Sequence, residues 1–356
     1  MTVVKQQTWD LFCRVIDNHG DLGVCWRLAR QLATAGLAVR LWVDDAAALA
    51  WMAPGGAPQG IEVLPWEAAN NAADCGEVVI EAFGCELPEP FIARMAARQP
   101  APAWINLEYL SAEDYVERSH GLASPQFSGP GRGLKKFFFY PGFTPRTGGL
   151  LREPGLIEAA EALDAPAWLR AQGITPRPAE RLVSLFAYAN AALPRLLEAL
   201  GERPTLLLAC PGAAQQALSD LPLPPALRWQ PLPYLSQDDY DRLLWACELN
   251  FVRGEDSFVR AQWAGRPFVW QIYPQHDGAH GPKLEAFMDR WLAGAEPALA
   301  AASRRLWRAW NGLAEGGEIV LPDAAAAAIQ ARAWRVQLAG EADLLAQLRH
   351  FIAKNG

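Results

Sequence analysis

Two short stretches of the 356-residue chain combine acidic, basic and glycine residues in an order that could do chemistry. The first is Asp17-Asn18-His19-Gly20-Asp21. It sets two carboxylates four residues apart around a glycine, which can take φ > 0 and let backbone approach a ligand closely. A carboxylate so placed can orient a nucleophile and take its proton. The second is Arg253-Gly254-Glu255-Asp256-Ser257. Arg253 offers positive charge and Gly254 close backbone approach. The free N–H groups of a helix capped by Asp256 or Ser257 favour a phosphate, so the turn suits a diphosphate. Glu255 is out of place in an anion site unless it accepts hydrogen bonds from ligand hydroxyls, which points to a ligand carrying sugar as well as phosphate. Each stretch also has a plain structural reading. Asp21 can cap a helix while Asp17 closes the turn, and Arg253 can pair with Glu255 across a surface turn.

Both stretches lie between an apolar strand and a helix. Residues Asp10 to Ile16 alternate and then saturate with apolar side chains, and Leu22, Cys25, Leu28, Ala29 and Leu32 follow at helical spacing. Further strands are expected at 38–43, 61–64, 77–83, 103–107 and 135–140, then at 181–188, 205–210, 227–232, 248–252 and 267–272. Helices between them imply parallel sheets, which bind ligands beyond the carboxyl ends of their strands. The fifth strand delivers Glu108-Tyr109-Leu110-Ser111 to the rim shared by Asp17 and Asp21. Phe186, Tyr188 and Tyr234 sit near strand ends, where an aromatic face stacks a nucleobase or simply fills core. Ser119 to Gly133, with four glycines and two prolines, reads as a mobile loop. Pro154, Pro166, Pro176 and Pro178 mark the expected passage between an N-terminal domain, 1–175, and a C-terminal domain, 176–340. A closing helix within 341–356 is expected to pack back on the first domain.

A formal net charge of −7 argues against nonspecific binding to nucleic acid or to an anionic membrane. No signal-peptide run opens the sequence and no eighteen apolar residues run uninterrupted, so a cytoplasmic protein is expected. The six cysteines make no Cys-x-x-Cys and read as reduced core thiols. His276 and His280 stand four apart without a third ligand, so metal is not expected. Neither a Gly-x-Gly-x-x-Gly after the first strand nor a P-loop occurs, which removes support for a dehydrogenase or an ATPase.

The motifs Phe-Cys-Arg-Val-Ile-Asp-Asn-His-Gly-Asp-Leu-Gly-Val-Cys-Trp-Arg-Leu-Ala-Arg, Lys-Lys-Phe-Phe-Phe-Tyr-Pro-Gly-Phe and Asn-Phe-Val-Arg-Gly-Glu-Asp-Ser-Phe-Val-Arg-Ala-Gln-Trp-Ala-Gly-Arg-Pro carry a family resemblance. Over essentially its whole length the chain resembles the EarP family, bacterial protein-arginine rhamnosyltransferases acting on translation elongation factor P. The resemblance implies an α/β GT-B fold, two Rossmann-like domains with parallel sheets facing a central cleft. The first domain would serve the acceptor protein and the base, and the second would bind dTDP-β-L-rhamnose. It further implies inversion to an α-rhamnosyl arginine, with no cofactor or metal and no nucleic-acid or membrane partner. On that resemblance Asp21 matches the general base, Asp17 its supporting carboxylate and Glu255 the essential acidic residue of the donor site. Phe186, Tyr188, Tyr234, Gln237, Arg253, Gly254, Asp256 and Ser257 match the residues around thymidine and diphosphate, with Asn18, His19 and Gly20 against the donor. The chemistry agrees, because a guanidinium is a poor nucleophile that needs a carboxylate to orient it and take its proton. Two other readings stand beside this one: a noncatalytic nucleotide-sugar-binding or protein-binding module, and a metal-free GT-B transferase with a small-molecule acceptor.

Overall fold

The computed structural model describes residues 6–16, 19–274, 278, 280–314 and 317–355. The chain divides after Glu153 and again after Gly340 into two units. The first unit contains β1 (Thr8–Cys13), α1 (Gly20–Thr34), β2 (Ala38–Val43), α2 (Leu49–Met52), β3 (Ile61–Pro65), a 3-10 turn at Trp66–Asn71, β4 (Val78–Ala82), α3 (Glu89–Ala97), β5 (Ala103–Leu107), α4 (Tyr115–Ser119), β6 (Ala123–Pro125) and β7 (Lys135–Phe139). The second holds α5 (Leu156–Glu161), α6 (Ala165–Ala171), β8 (Arg181–Leu185), α7 (Leu193–Leu200), β9 (Thr205–Ala209), α8 (Ala213–Leu218), β10 (Leu227–Pro231), α9 (Gln237–Ala246), β11 (Leu249–Arg253), α10 (Asp256–Ala264), β12 (Phe268–Gln271), α11 (His280–Trp291), α12 (Pro297–Trp310) and α13 (Ala324–Ala339). The last helix, α14 (Leu344–Asn355), belongs to the first unit, where Leu344 and Leu348 join the core.

The first unit's sheet runs β3-β2-β1-β4-β5-β7-β6, parallel except where β6 meets β7, and the second unit's runs β10-β9-β8-β11-β12, parallel throughout. In each, the order reverses once, between β1 and β4 and between β8 and β11. That reversal opens a crevice at the carboxyl edge. Alternate residues serve opposite faces. Leu11 and Ile80 join the layer that includes Trp26, Leu28 and Leu348, while Phe12 and Val79 join Trp42, Trp66 and Phe91.

Two expectations are corrected. The boundary expected near residue 175 falls at Glu153, because α5 and α6 pack within the second unit. Trp168 donates to Asp239 of α9 at 3.1 Å, and Leu169 and Ile174 enter the core beside Leu206 and Leu243. Pro166 opens α6 behind the cap Asp164, whose carboxylate accepts from the Ala167 amide, so this proline starts a helix and marks no linker. The stretch Ser119 to Gly133 is not one loop. It contains β6, paired antiparallel to β7, with the connection closed by bonds from the Gly133 amide to Gln126 O and from the Gln126 amide to Leu134 O, each 2.9 Å. All six cysteines are free and buried. Among the described residues, no helix is long and apolar enough to cross a membrane.

Helix α10 is buried along nearly its whole length, from Ser257 to Ala264, so its polar side chains need partners inside the protein. Arg260, 2% exposed, makes a bidentate pair with Asp241 of α9, at 2.9 and 2.7 Å. Gln262 accepts from the Trp334 indole of α13 at 2.9 Å. Arg260→Met strands the Asp241 carboxylate without its guanidinium and is expected to destabilise the protein by roughly 3–5 kcal/mol. The double variant Arg260→Met/Asp241→Leu should recover most of that loss. Denaturant unfolding of the two variants checks both values, and equal stability of the single variant and wild type would contradict the assignment.

Candidate active site

The second unit's crevice lies between the carboxyl ends of β8 and β11. β11 ends in Arg253, whose guanidinium carbon lies 4.3 Å from the Phe186 ring centroid and 4.5 Å from that of Tyr188. The two aromatics expected as nucleobase platforms are therefore engaged with a cation, and they fix the direction of the arginine. Their own positions are fixed in turn. The Phe186 amide donates to Phe251 O at 2.9 Å, the Tyr188 amide donates to Gln271 Oε1 at 2.9 Å, and Tyr188 meets Tyr273 edge-on at 5.6 Å.

The turn after β11 is built on Gly254, at φ +62°. Its amide donates to Gln271 O at 3.3 Å and its carbonyl accepts from the Trp270 indole at 2.7 Å. The Ser257 hydroxyl accepts from the Arg253 amide at 3.0 Å and donates to the Arg253 carbonyl. Ser257 thus ties the start of α10 to the end of β11, where the sequence suggested a helix cap. The cap position falls to half-buried Glu255, whose side chain makes no capping bond, and Asp256 is the first helical residue. Tyr234, 53% exposed, and buried Gln237 stand at the same edge after β10. Two further residues belong here that the sequence reading passed over. A Cβ at Gly212 (φ +138°), in the turn after β9, would sit 3.9 Å from Arg253 Nη1, so this turn brings bare backbone near the guanidinium. Gln271 braces both Tyr188 and Gly254, and its only signal is a polar side chain closing an apolar strand. Burial pushes the thiol of Cys210, at the end of β9, up to about 12, so it is inert.

The first unit's carboxyl edge holds the second acidic site. Asp17 and Asn18 lie outside the described residues. His19 meets Trp51 edge-on at 5.1 Å. Gly20 opens α1 with helical backbone, not the φ > 0 that a glycine there could have taken. Asp21 is 3% exposed in the first turn, where the helix dipole favours an anion. It is no end cap. Its Oδ2 accepts from the Ile16 amide at 2.8 Å, and its Oδ1 lies 3.4 Å from the Tyr109 hydroxyl. Beyond Tyr109, Asn106 donates to Glu108 at 2.7 Å. Burial first, then the Glu108 charge, pushes the Tyr140 phenol up to about 12, so it stays protonated. A carboxylate held at both oxygens on a rim lined with phenols can receive a cationic guanidinium and accept its proton. Among the described residues, no three His, Cys, Asp or Glu side chains group to hold a metal. His276 and Asp277 lie outside those residues.

Known proteins share this sequence pattern and fold. The family model for the elongation factor P rhamnosyltransferase EarP matches residues 9–353. The protein-arginine rhamnosyltransferase of Pseudomonas putida KT2440 is 47% identical, over 97% of this chain and 98% of its own length. That of Pseudomonas aeruginosa PAO1 is 46% identical, over 97% and 99%. A solved structure describing EarP-mediated arginine glycosylation of translation elongation factor EF-P superposes with a TM-score of 0.68 at 35% identity, covering 99% of this chain and all of that one. The glycosyltransferase VinC, solved with dTDP, shares the GT-B fold at a TM-score of 0.52 and 14% identity, over 98% of this chain and 100% of its own.

Ser257→Ala removes both bonds across the Arg253 turn while leaving α10 buried. It should cost about 1 kcal/mol of stability and speed amide exchange at Arg253 and Gly254. Hydrogen exchange resolved at those two amides checks it, and unchanged protection would mean that the turn is held by its other bonds alone.

Proposed function

This chain belongs to the EarP family of elongation factor P rhamnosyltransferases and is a protein-arginine rhamnosyltransferase, and we propose that it moves L-rhamnose from dTDP-β-L-rhamnose to an arginine of translation elongation factor P with inversion at the anomeric carbon. The observation that carries this reading is the Arg253 turn at the reversal of a doubly wound sheet. A clamped guanidinium, a left-handed glycine and the start of α10 follow one another there.

In the proposed mechanism the second unit holds the donor. Arg253 and the first N–H groups of α10 meet the diphosphate, and their charge becomes most valuable as the leaving dTDP gains negative charge. No metal is needed for that task in this reading. Glu255 and Asp256 accept hydrogen bonds from hydroxyls of the sugar nucleotide, while Tyr234 and Gln237 flank the thymidine with Phe186 and Tyr188. In the first unit Asp21 orients the acceptor guanidinium, seconded by Asp17, and His19 belongs to the same turn. An arginine nitrogen attacks the anomeric carbon opposite the diphosphate. The N–C bond forms as the C–O bond breaks, the electron pair of that bond leaves with dTDP, and the guanidinium proton passes to Asp21. The β-linked donor thereby yields an α-linked product. A cytoplasmic location is part of this reading.

Intact-mass and peptide mass spectrometry of elongation factor P, after incubation with the enzyme and dTDP-β-L-rhamnose, should show one deoxyhexose on one arginine. No addition would overturn the reading, and donor turnover without protein modification would favour a small-molecule acceptor. In the same assay Asp21→Asn should slow single turnover by roughly 10²–10⁴-fold, the usual loss for a general base. An Asp21→Asn enzyme of wild-type rate would remove Asp21 from that role.

A further inference from the structure

The corner after β4 faces the same reversal point as Asp21, since β4 and β1 are the neighbours between which the strand order turns. At this corner Phe83 adopts φ +58° and Gly84 φ +69°. A bulky aromatic with left-handed backbone is strained, and such strain persists only where surrounding bonds over-determine it, most often at functional sites. The bonds are present. The Phe83 amide donates to Leu107 O at 2.6 Å, the Gly84 amide donates to Asn106 Oδ1 at 3.2 Å, and the Cys85 amide donates to Ala82 O at 3.1 Å. Asn106, 3% exposed, uses its other end to hold Glu108. The strained backbone delivers the Phe83 ring flat against Tyr109, with centroids 4.4 Å apart and planes 17° from parallel. Tyr109 in turn places its hydroxyl 3.4 Å from Asp21 Oδ1.

We propose that Phe83 is a positioning residue for the transfer reaction: its left-handed corner, locked by Asn106, stacks Tyr109 so that the phenol hydroxyl orients Asp21 Oδ1 toward the acceptor guanidinium. The inference rests on the reading of Asp21 as the general base. It also distinguishes the two carboxylate oxygens. Oδ2 accepts from the Ile16 amide and Oδ1 from the Tyr109 hydroxyl, and in this proposal Oδ1, the oxygen that Tyr109 orients, takes the proton. Leucine at position 83 would fill the space without a flat face and would remove the stacking contact that orients Tyr109. The Tyr109 hydroxyl stabilises the ionised carboxylate by hydrogen bonding, so its loss should make Asp21 easier to protonate.

The experiment measures kcat, acceptor KM, donor affinity, a thermal melt and the pH dependence of kcat for Phe83→Leu, Phe83→Tyr, Tyr109→Phe, the double variant Phe83→Leu/Tyr109→Phe, and Asp21→Asn. Phe83→Leu and Tyr109→Phe should each lower kcat at least tenfold, with donor affinity unchanged and acceptor KM within about threefold, and should move the acidic limb of the rate profile to higher pH. Phe83→Tyr, which keeps the stacking face, should restore the rate. The double variant should be no slower than about twofold below the slower single one, because both changes break the same chain of contacts. A wild-type kcat and unmoved acidic limb in Phe83→Leu or in Tyr109→Phe would overturn the proposal, and so would full multiplication of their effects. If Phe83→Leu melts below the assay temperature, Tyr109→Phe alone decides it. Asp21→Asn separates the two levels. Its loss of activity beside wild-type Phe83→Leu and Tyr109→Phe sinks only the positioning role, whereas a fully active Asp21→Asn sinks the base assignment and this inference with it.

Discussion

The bidentate pair between Arg260 and Asp241 is the interaction from which the second unit's functional edge takes its geometry. Two buried charges cannot be left apart, and a planar guanidinium meets a carboxylate in few orientations. The pair therefore fixes both the rotation and the register of α10 against α9. Gln262 does the same on the other side through Trp334. The start of α10 is thereby held where the Ser257 hydroxyl bonds the main chain of Arg253. Helix α10 carries no exposed face to adapt to solvent, so its precision is that of the core.

A common logic joins the two carboxyl edges. In each unit the chain winds outward from its first strand and returns to the other side, which leaves the crevice where neighbouring strands part. Asp21 stands on the first unit's crevice, and Arg253 with its aromatic clamp stands on the second's. The same topology thus supplies a carboxylate in one unit and a cation in the other. In the proposed reaction these are the two charges needed, one to take a proton and one to meet the leaving group.

The strands were legible because parallel sheets need nearly continuous apolar runs, and the two chemical turns were legible because both break such runs with charge and glycine. Other features depended on distant residues and left no local mark. Phe186 and Tyr188 clamp Arg253 only because β8 pairs with β11, far along the chain. Ser257 looked like a helix cap, and its pull toward the Arg253 main chain follows from the tightness of the Gly254 turn. Pro166 opens a helix that a linker of the same composition would imitate. Phe83 could not be anticipated at all, since phenylalanine is a residue type that local rules keep out of left-handed backbone.

The central claim is a division of labour, with the donor held through Arg253 and the proton taken by Asp21. Calorimetric titration of dTDP-β-L-rhamnose into wild type, Arg253→Ala and Asp21→Asn tests it most directly. The account predicts that Arg253→Ala weakens donor binding at least tenfold while Asp21→Asn binds as wild type does. Unchanged affinity in Arg253→Ala, or an equal loss in both variants, would contradict it.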